Sequence, residues 1–120
     1  MYNDRFEACV AKVRHRFATT LASKIDNTIA SADRLSRNDR GAFKYLSESY
    51  QRLHTIYGLG ATVGFVATGE AAHFAEAALL AAYYQRRGLN ERETENLKAA
   101  LAHLRDVAAS ELRQMYQRGR

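Results

Sequence analysis

The chain has 120 residues, of which 47% are hydrophobic and 26% charged, and its formal net charge is +5. This length and composition predict a single domain with one hydrophobic core. One cysteine excludes an internal disulfide, and the lack of any run of about 18 apolar residues argues against a membrane span. The absence of proline, with abundant alanine, leucine, arginine and glutamate, predicts an all-α protein.

The chemistry of the first residues and the distribution of charge set expectations for location and partners. The segment MYNDRFEACV carries charges where a signal peptide needs an apolar stretch, so we expect a cytoplasmic protein. Cys9 has apolar neighbours, and we expect its thiol to be buried. A basic chain can bind nucleic acid, but the arginines are spread over the whole chain. We therefore expect solvated helix faces and no nucleic-acid binding.

The first predicted helix is marked by apolar residues that recur every three or four positions. They are Phe6, Val10, Val13, Phe17, Leu21, Ile25, Ile29 and Ala32. This spacing fits either one long helix or an additional short N-terminal helix followed by a longer one. The segment SRNDRG, residues 36–41, then predicts a break, and Asn38 or Asp39 could cap the next helix.

The second helix is expected from about residue 42 to residue 64. Its predicted core stripe consists of Ala42, Leu46, Ser49, Leu53, Ile56, Gly60, Val63 and Ala67. A third helix is expected through EAAHFAEAALLAAYYQ, residues 70–85, with residues 67–69 as a potential break before it.

The last helix follows a second break at RRGLN, residues 86–90, in which Gly88 suits a helix C-terminus. Asn90 and Glu93 have the spacing of a capping box. The apolar residues of this helix repeat at close to heptad spacing: Leu97, Leu101, Leu104, Ala108, Leu112 and Met115. Four amphipathic helices with short connections predict an antiparallel up-down four-helix bundle over about residues 17–117.

The segment RLHTIYGLGATVG, residues 52–64, contains three glycines, although each glycine inside a helix costs roughly 0.5–1 kcal/mol relative to alanine. At 100° per residue, Gly60 falls in the core stripe, where it allows a neighbouring helix to approach closely. His54 lies roughly 120° from the middle of the stripe and should be exposed. Gly58 leaves bare backbone beside it, and Gly64 lies where the helix could end or bend. The other expected surface neighbours of the histidine are Tyr50, Gln51, Tyr57 and Ala61.

The segment HTIYGLGATVG, residues 54–64, resembles the signature of histidine phosphotransfer (HPt) domains, roughly His-x-Leu-Lys-Gly-x-Ala-x-x-x-Gly. The matching positions are His54, Ile56, Gly58 and Gly64. Upstream, NDRGAFKYL resembles the turn that precedes the histidine helix of the family, and the likeness covers the helical order from about Phe17 to the C-terminus.

Three further positions bear on this resemblance. Glu76 falls where the family often has the glutamate of a Leu-Glu pair, although Ala75 replaces the leucine. Tyr57 stands where the family commonly has a lysine, which removes a cation from the neighbourhood of a bound phosphoryl group. A tyrosine can donate a hydrogen bond there but supplies no charge.

The resemblance implies a phosphorelay intermediate. One nitrogen of His54, expected to be Nε2, would take a phosphoryl group from an aspartate of a receiver domain and pass it to another receiver. A free histidine has a pKa of about 6.5, so an exposed imidazole is largely neutral and nucleophilic in the cytoplasm. The implied partners are response-regulator receiver domains and a hybrid sensor histidine kinase.

The same resemblance implies a monomer with no cofactor of its own, because Mg²⁺ would be supplied by the receiver. Docking would use Tyr50, Gln51, Tyr57, Gly58 and Ala61, with Gly64 in a supporting role, although the two tyrosines could equally be half-buried residues that pack within the bundle. The chain has no Gly-x-x-x-x-Gly-Lys-Ser/Thr loop for a nucleotide. We therefore expect a phosphocarrier that does not phosphorylate itself from ATP.

Two other interpretations follow from the same residues. Because Tyr57 replaces the lysine, the chain could be an HPt-like helical adaptor that binds receivers or a kinase without carrying phosphate. Glu70 and His73 form a Glu-x-x-His pair of the kind used in di-iron bundles, but such sites need a second pair, and we expect no metal. We expect His15, His73 and His103 to be structural.

Overall fold

The computed structural model describes residues 2–36 and 41–118, and within these ranges the chain forms four α-helices and no strand. The helices are α1 (Tyr2–Ser31), α2 (Ala42–Thr62), α3 (Val66–Tyr84) and α4 (Glu91–Arg118), and a 3-10 turn over Ala32–Leu35 follows α1. The all-α four-helix bundle expected from the sequence is confirmed. None of the four helices is both long enough and apolar enough to span a bilayer, as far as the described residues go.

Helix α1 is continuous, which settles the question of a separate N-terminal helix. It packs antiparallel to α4, since one cleft between them places Ile29 beside Leu101 and another places Ala22 beside Ala109. Its first buried side chain is Phe17, and every side chain from Asp4 to Cys9 is exposed. The expectation of a buried Cys9 is therefore wrong: the first turns of α1 keep the apolar periodicity but lie beyond the packed part of the bundle.

The core stripe of α2 is confirmed, because Ala42, Leu46, Ser49, Leu53, Ile56, Gly60 and Val63 are all buried. Gly41 occupies the N-cap position of α2, and the caps expected at residues 38 and 39 lie outside the described residues. The helix ends at Thr62, and Gly64 has a φ of +90°, a left-handed conformation in which glycine is unstrained.

The connection between α2 and α3 is shorter than the sequence predicts. Residues 67–69, expected to form a break, belong to α3, and Ala67 is exposed rather than part of the α2 stripe. The beginning of α3 is stabilised from a distant part of the chain: the backbone N–H and the hydroxyl of Thr68 both donate to Glu111 on α4, each at 2.6 Å. A carboxylate at a helix N-terminus satisfies free N–H groups and complements the helix dipole.

The connection between α3 and α4 contains the predicted capping box. The Glu93 backbone N–H donates to the Asn90 side chain at 2.8 Å, and the Asn90 N–H donates to the Glu93 carboxylate at 3.0 Å. Arg87 also donates to Glu93 through both terminal nitrogens, and this hydrogen bonding raises the pKa of its guanidinium. The left-handed residue after α3 is Arg86, with a φ of 51°, rather than the expected Gly88.

Helices α2 and α3 touch backbone to backbone at two glycines. A Cβ atom built on Gly60 would lie 3.0 Å from the Phe65 carbonyl oxygen and 3.1 Å from the Gly69 Cα. A Cβ atom on Gly69 would in turn lie 3.2 Å from the Tyr57 carbonyl oxygen. The two glycines therefore set the distance between α2 and α3, and with it the distance between side chains that face each other across these helices.

This close contact predicts opposite effects for two neighbouring glycines. Gly60→Ala is expected to lower the free energy of unfolding by about 1–2 kcal/mol, because rigid backbone surrounds the added methyl group. Gly58→Ala is expected to raise it by about 0.5–1 kcal/mol, because a Cβ there meets no atom within 4 Å and alanine favours the helix. Urea unfolding of the two variants checks this difference, and equal effects would contradict the proposed close packing.

Candidate functional site

His54 lies on the outward face of α2, where its side chain is 61% exposed. Its neighbours Leu53 and Ile56 are fully buried, so the helical period that directs them into the core directs the imidazole outward. The exposure predicted from the sequence is confirmed.

The imidazole is held by a buried carboxylate on the neighbouring helix. Glu76 of α3 is 7% exposed, and both of its carboxylate oxygens lie 3.2 Å from the Nδ1 atom of His54. An ionised carboxylate can only accept hydrogen bonds, so Nδ1 carries the proton and donates it. In a neutral imidazole the other nitrogen, Nε2, then has a free lone pair. The side chain thus presents a nucleophilic nitrogen on the surface of the bundle.

A second imidazole shares this carboxylate. The Nδ1 atom of His73 lies 3.8 Å from Oε1 of Glu76, and the His73 side chain is 57% exposed. Its ring stacks on Tyr57, with the centroids 4.3 Å apart and an interplanar angle of 26°. His73 was expected to be structural, yet the fold brings it to the site. The sequence signal for the position of His73 near the site was its spacing of three residues from Glu76 on the same helix.

Aromatic rings flank His54 along α2. The ring of Tyr50 is parallel to the imidazole within 5°, at a centroid distance of 6.0 Å, and it stacks on Tyr83 of α3 at 4.2 Å. Burial raises the pKa of the Tyr50 phenol, and the negative charge of Glu76 raises it further, so this hydroxyl stays neutral. Tyr57 lies on the other side of the imidazole at 6.2 Å and is partly exposed. The imidazole therefore stands between two uncharged tyrosines.

The remaining predicted site residues divide by distance from the imidazole. Gln51, Gly58 and Ala61 are exposed on α2 within two turns of His54, and Gly58 leaves open space beside it. Gly64 lies ten residues along the chain, which corresponds to about 15 Å of helix rise, so it shapes the end of α2 rather than the surroundings of the ring.

The cation nearest to His54 in sequence is directed elsewhere. Arg52 donates to the Thr28 hydroxyl on α1 at 3.0 Å, so its guanidinium is directed towards α1 rather than towards the imidazole. Across residues 2–36 and 41–118, no group of three His, Cys, Asp or Glu side chains is arranged to hold a metal ion. In the described part of the chain, the charged group hydrogen-bonded to the imidazole is the carboxylate of Glu76 on α3.

Comparisons of the chain with protein-family models, with curated proteins and with solved structures find no match. What the chain does must therefore be inferred from the site itself. The informative features are the exposed imidazole, the buried carboxylate that orients it, and the second imidazole on α3.

Proposed function

We propose that this protein is a phosphorelay intermediate of the histidine phosphotransfer type, in which His54 accepts a phosphoryl group from a receiver-domain aspartate and passes it to a second receiver. The observation that carries this proposal is the hydrogen bond from Nδ1 of the exposed His54 to the buried carboxylate of Glu76. A buried carboxylate that fixes the tautomer of an exposed imidazole prepares Nε2 for nucleophilic attack. The HPt-like spacing of His54, Gly58 and Glu76 supports the same function.

The chemistry follows from this tautomer. The lone pair of Nε2 forms a bond to phosphorus while the bond between phosphorus and the aspartyl oxygen breaks, and the electron pair of that bond leaves with the receiver carboxylate. The proton on Nδ1 stays on the ring, which becomes positively charged. The carboxylate of Glu76 stabilises this charge, as the aspartate of a catalytic triad stabilises an imidazolium. Transfer to the second receiver is the reverse reaction, and each receiver supplies Mg²⁺ for the phosphoryl oxygens.

The surface around His54 is suited to a bulky partner. Gly58 offers exposed backbone one turn along the helix, and Gln51 and Ala61 are exposed nearby. An in-line attack requires the reacting atoms to approach within about 3–3.5 Å, so the receiver has to close over the imidazole. We propose that receiver domains, one of them attached to a hybrid sensor kinase, dock on this face.

The direct test is transfer of labelled phosphate. The protein is incubated with several receiver domains carrying ³²P on their aspartate, and the label on the chain is tested for acid lability and mapped by proteolysis. The expected result is acid-labile, alkali-stable label on the peptide that contains His54. Stable binding of a receiver without any label would instead favour an HPt-like adaptor that carries no phosphate. The observation that supports the adaptor is that Tyr57, an uncharged side chain, lies beside the imidazole.

Substitution of Gly58 tests the docking face separately from the chemistry. Gly58→Leu is expected to slow transfer from a phosphorylated receiver by at least about tenfold, because a misplacement of about 1 Å can cost 100-fold in rate. Gly58→Ala, which adds one carbon in open space, serves as the matched control. Labelling of His54 by phosphoramidate, a small donor, should be unchanged in both variants. An equal loss with phosphoramidate would mean that the substitution disturbs the imidazole rather than docking.

A further inference from the structure

Two imidazoles converge on one carboxylate at this site. Oε1 of Glu76 is 3.2 Å from Nδ1 of His54 and 3.8 Å from Nδ1 of His73. The His73 ring stacks on Tyr57 of α2. On its own helix, α3, His73 lies three residues before Glu76. Both rings turn one nitrogen towards the buried carboxylate, and both are more than half exposed. The structure therefore places a second titratable ring beside the carboxylate that holds the His54 imidazole.

The protonation state of His73 decides how it interacts with a phosphoryl group. A neutral His73 keeps a lone pair on one of its two ring nitrogens, and that lone pair repels phosphoryl oxygens. A protonated His73 can donate from both nitrogens and carries a positive charge. A phosphoryl group on Nε2 carries about two negative charges at neutral pH, of which the positive charge of the His54 ring offsets one, and the remaining negative charge favours the protonated form of a nearby imidazole.

The other groups around His73 do not provide this charge. Among the described residues, the titratable groups near it are Glu76 and, one turn earlier, Glu70 on α3, together with His54 and Tyr57 on α2. Two of these are acidic and Tyr57 is neutral, while Arg52 of α2 is directed to Thr28. Among these described groups, His73 is thus the one besides the His54 ring itself that can become a cation when negative charge arrives.

We propose that His73 takes up a proton when His54 is phosphorylated and that the resulting imidazolium stabilises the phosphoryl group; this inference depends on the proposed phosphorylation of His54. The proton comes from solvent and returns to it when the phosphoryl group leaves. Phosphorylation of His54 is consequently linked to pH through His73, and the phosphorylated form gains stability as pH falls through the range in which His73 titrates.

Nuclear magnetic resonance tests the proton uptake directly. The carbon-bound ring proton of His73 is followed from pH 6 to pH 9 in the unmodified protein and after labelling with phosphoramidate, with His103, on α4, as the internal reference. We expect the midpoint of the His73 titration to move upward by about one pH unit on phosphorylation. An unchanged midpoint in protein that carries phosphate on His54 would overturn the proposal.

Variants give a second, independent measurement. With an excess of phosphorylated receiver, His73→Gln is expected to lower the equilibrium ratio of phosphorylated to free His54 about three- to tenfold at pH 7, and the deficit should shrink towards pH 9. His73→Lys, which stays charged, should restore the ratio and keep it high at pH 9. A deficit that is the same at every pH and is not restored by lysine would show a packing role only and would overturn the proposal. Failure of His54 to label in wild-type protein would instead refute the proposed function.

Discussion

His54→Gln is expected to abolish acid-labile labelling of the protein by phosphorylated receivers. Glutamine has no lone-pair nitrogen that could form a bond to phosphorus, and at this exposed position it leaves the core unchanged. His54 also donates to the buried carboxylate of Glu76, a hydrogen bond that the glutamine amide can replace only in part, so the free energy of unfolding should fall by about 1 kcal/mol. Autoradiography after incubation with a labelled receiver measures the first effect and urea unfolding the second.

The other histidines provide controls for this experiment. His15→Gln and His103→Gln change exposed histidines on α1 and α4, away from Glu76, and should label like the unmodified protein. Label that persists in His54→Gln would contradict the assignment of the phosphoryl acceptor. Loss of label in His103→Gln as well would show that labelling depends on a feature other than the site on α2 and α3.

Glu76→Gln is expected to slow phosphoryl transfer to His54 by about 100-fold, which is the scale on which preorganised electrostatic groups act. The amide lacks the negative charge that stabilises the ring as Nε2 attacks. Its NH₂ group can also donate to Nδ1, which would place the imidazole proton on Nε2 and remove the nucleophilic lone pair. Single-turnover transfer from a phosphorylated receiver, followed by rapid quench, measures the rate.

The matched control is Glu70→Gln, the same substitution at an exposed position on α3. It changes the net charge equally but removes no contact to His54, so the rate should stay within about twofold of the unmodified protein, as expected for a screened surface charge. If Glu76→Gln and Glu70→Gln had the same rate, the carboxylate would have no special role in orienting the imidazole.

The features that sequence predicts well are those set within one helix. The stripe that includes Leu46, Leu53 and Ile56 follows from the helical repeat, and the same repeat places His54 outside. The capping box at Asn90 and Glu93 is also local, because both partners lie within one turn. Such features can be predicted from the chemistry of a few residues that are close together in the sequence.

The features that sequence misses depend on contacts between helices. Cys9 has apolar neighbours in sequence, and its exposure depends on how far the other helices extend alongside α1. The beginning of α3 depends on Glu111, which is 43 positions away from Thr68. The approach of His73 to the site needs both its own helix and the ring of Tyr57 on α2. No local pattern contains this information.

The contact between Gly60 and Gly69 has a consequence for how such a site can evolve. Because backbone atoms rather than side chains touch there, the minimum distance between α2 and α3 does not depend on which aliphatic residues fill the interior. Elsewhere in α2 and α3, leucine, isoleucine and valine can replace one another while the His54 imidazole and the Glu76 carboxylate keep their separation. The exposed residues around His54 can then change without altering the separation of the imidazole and the carboxylate.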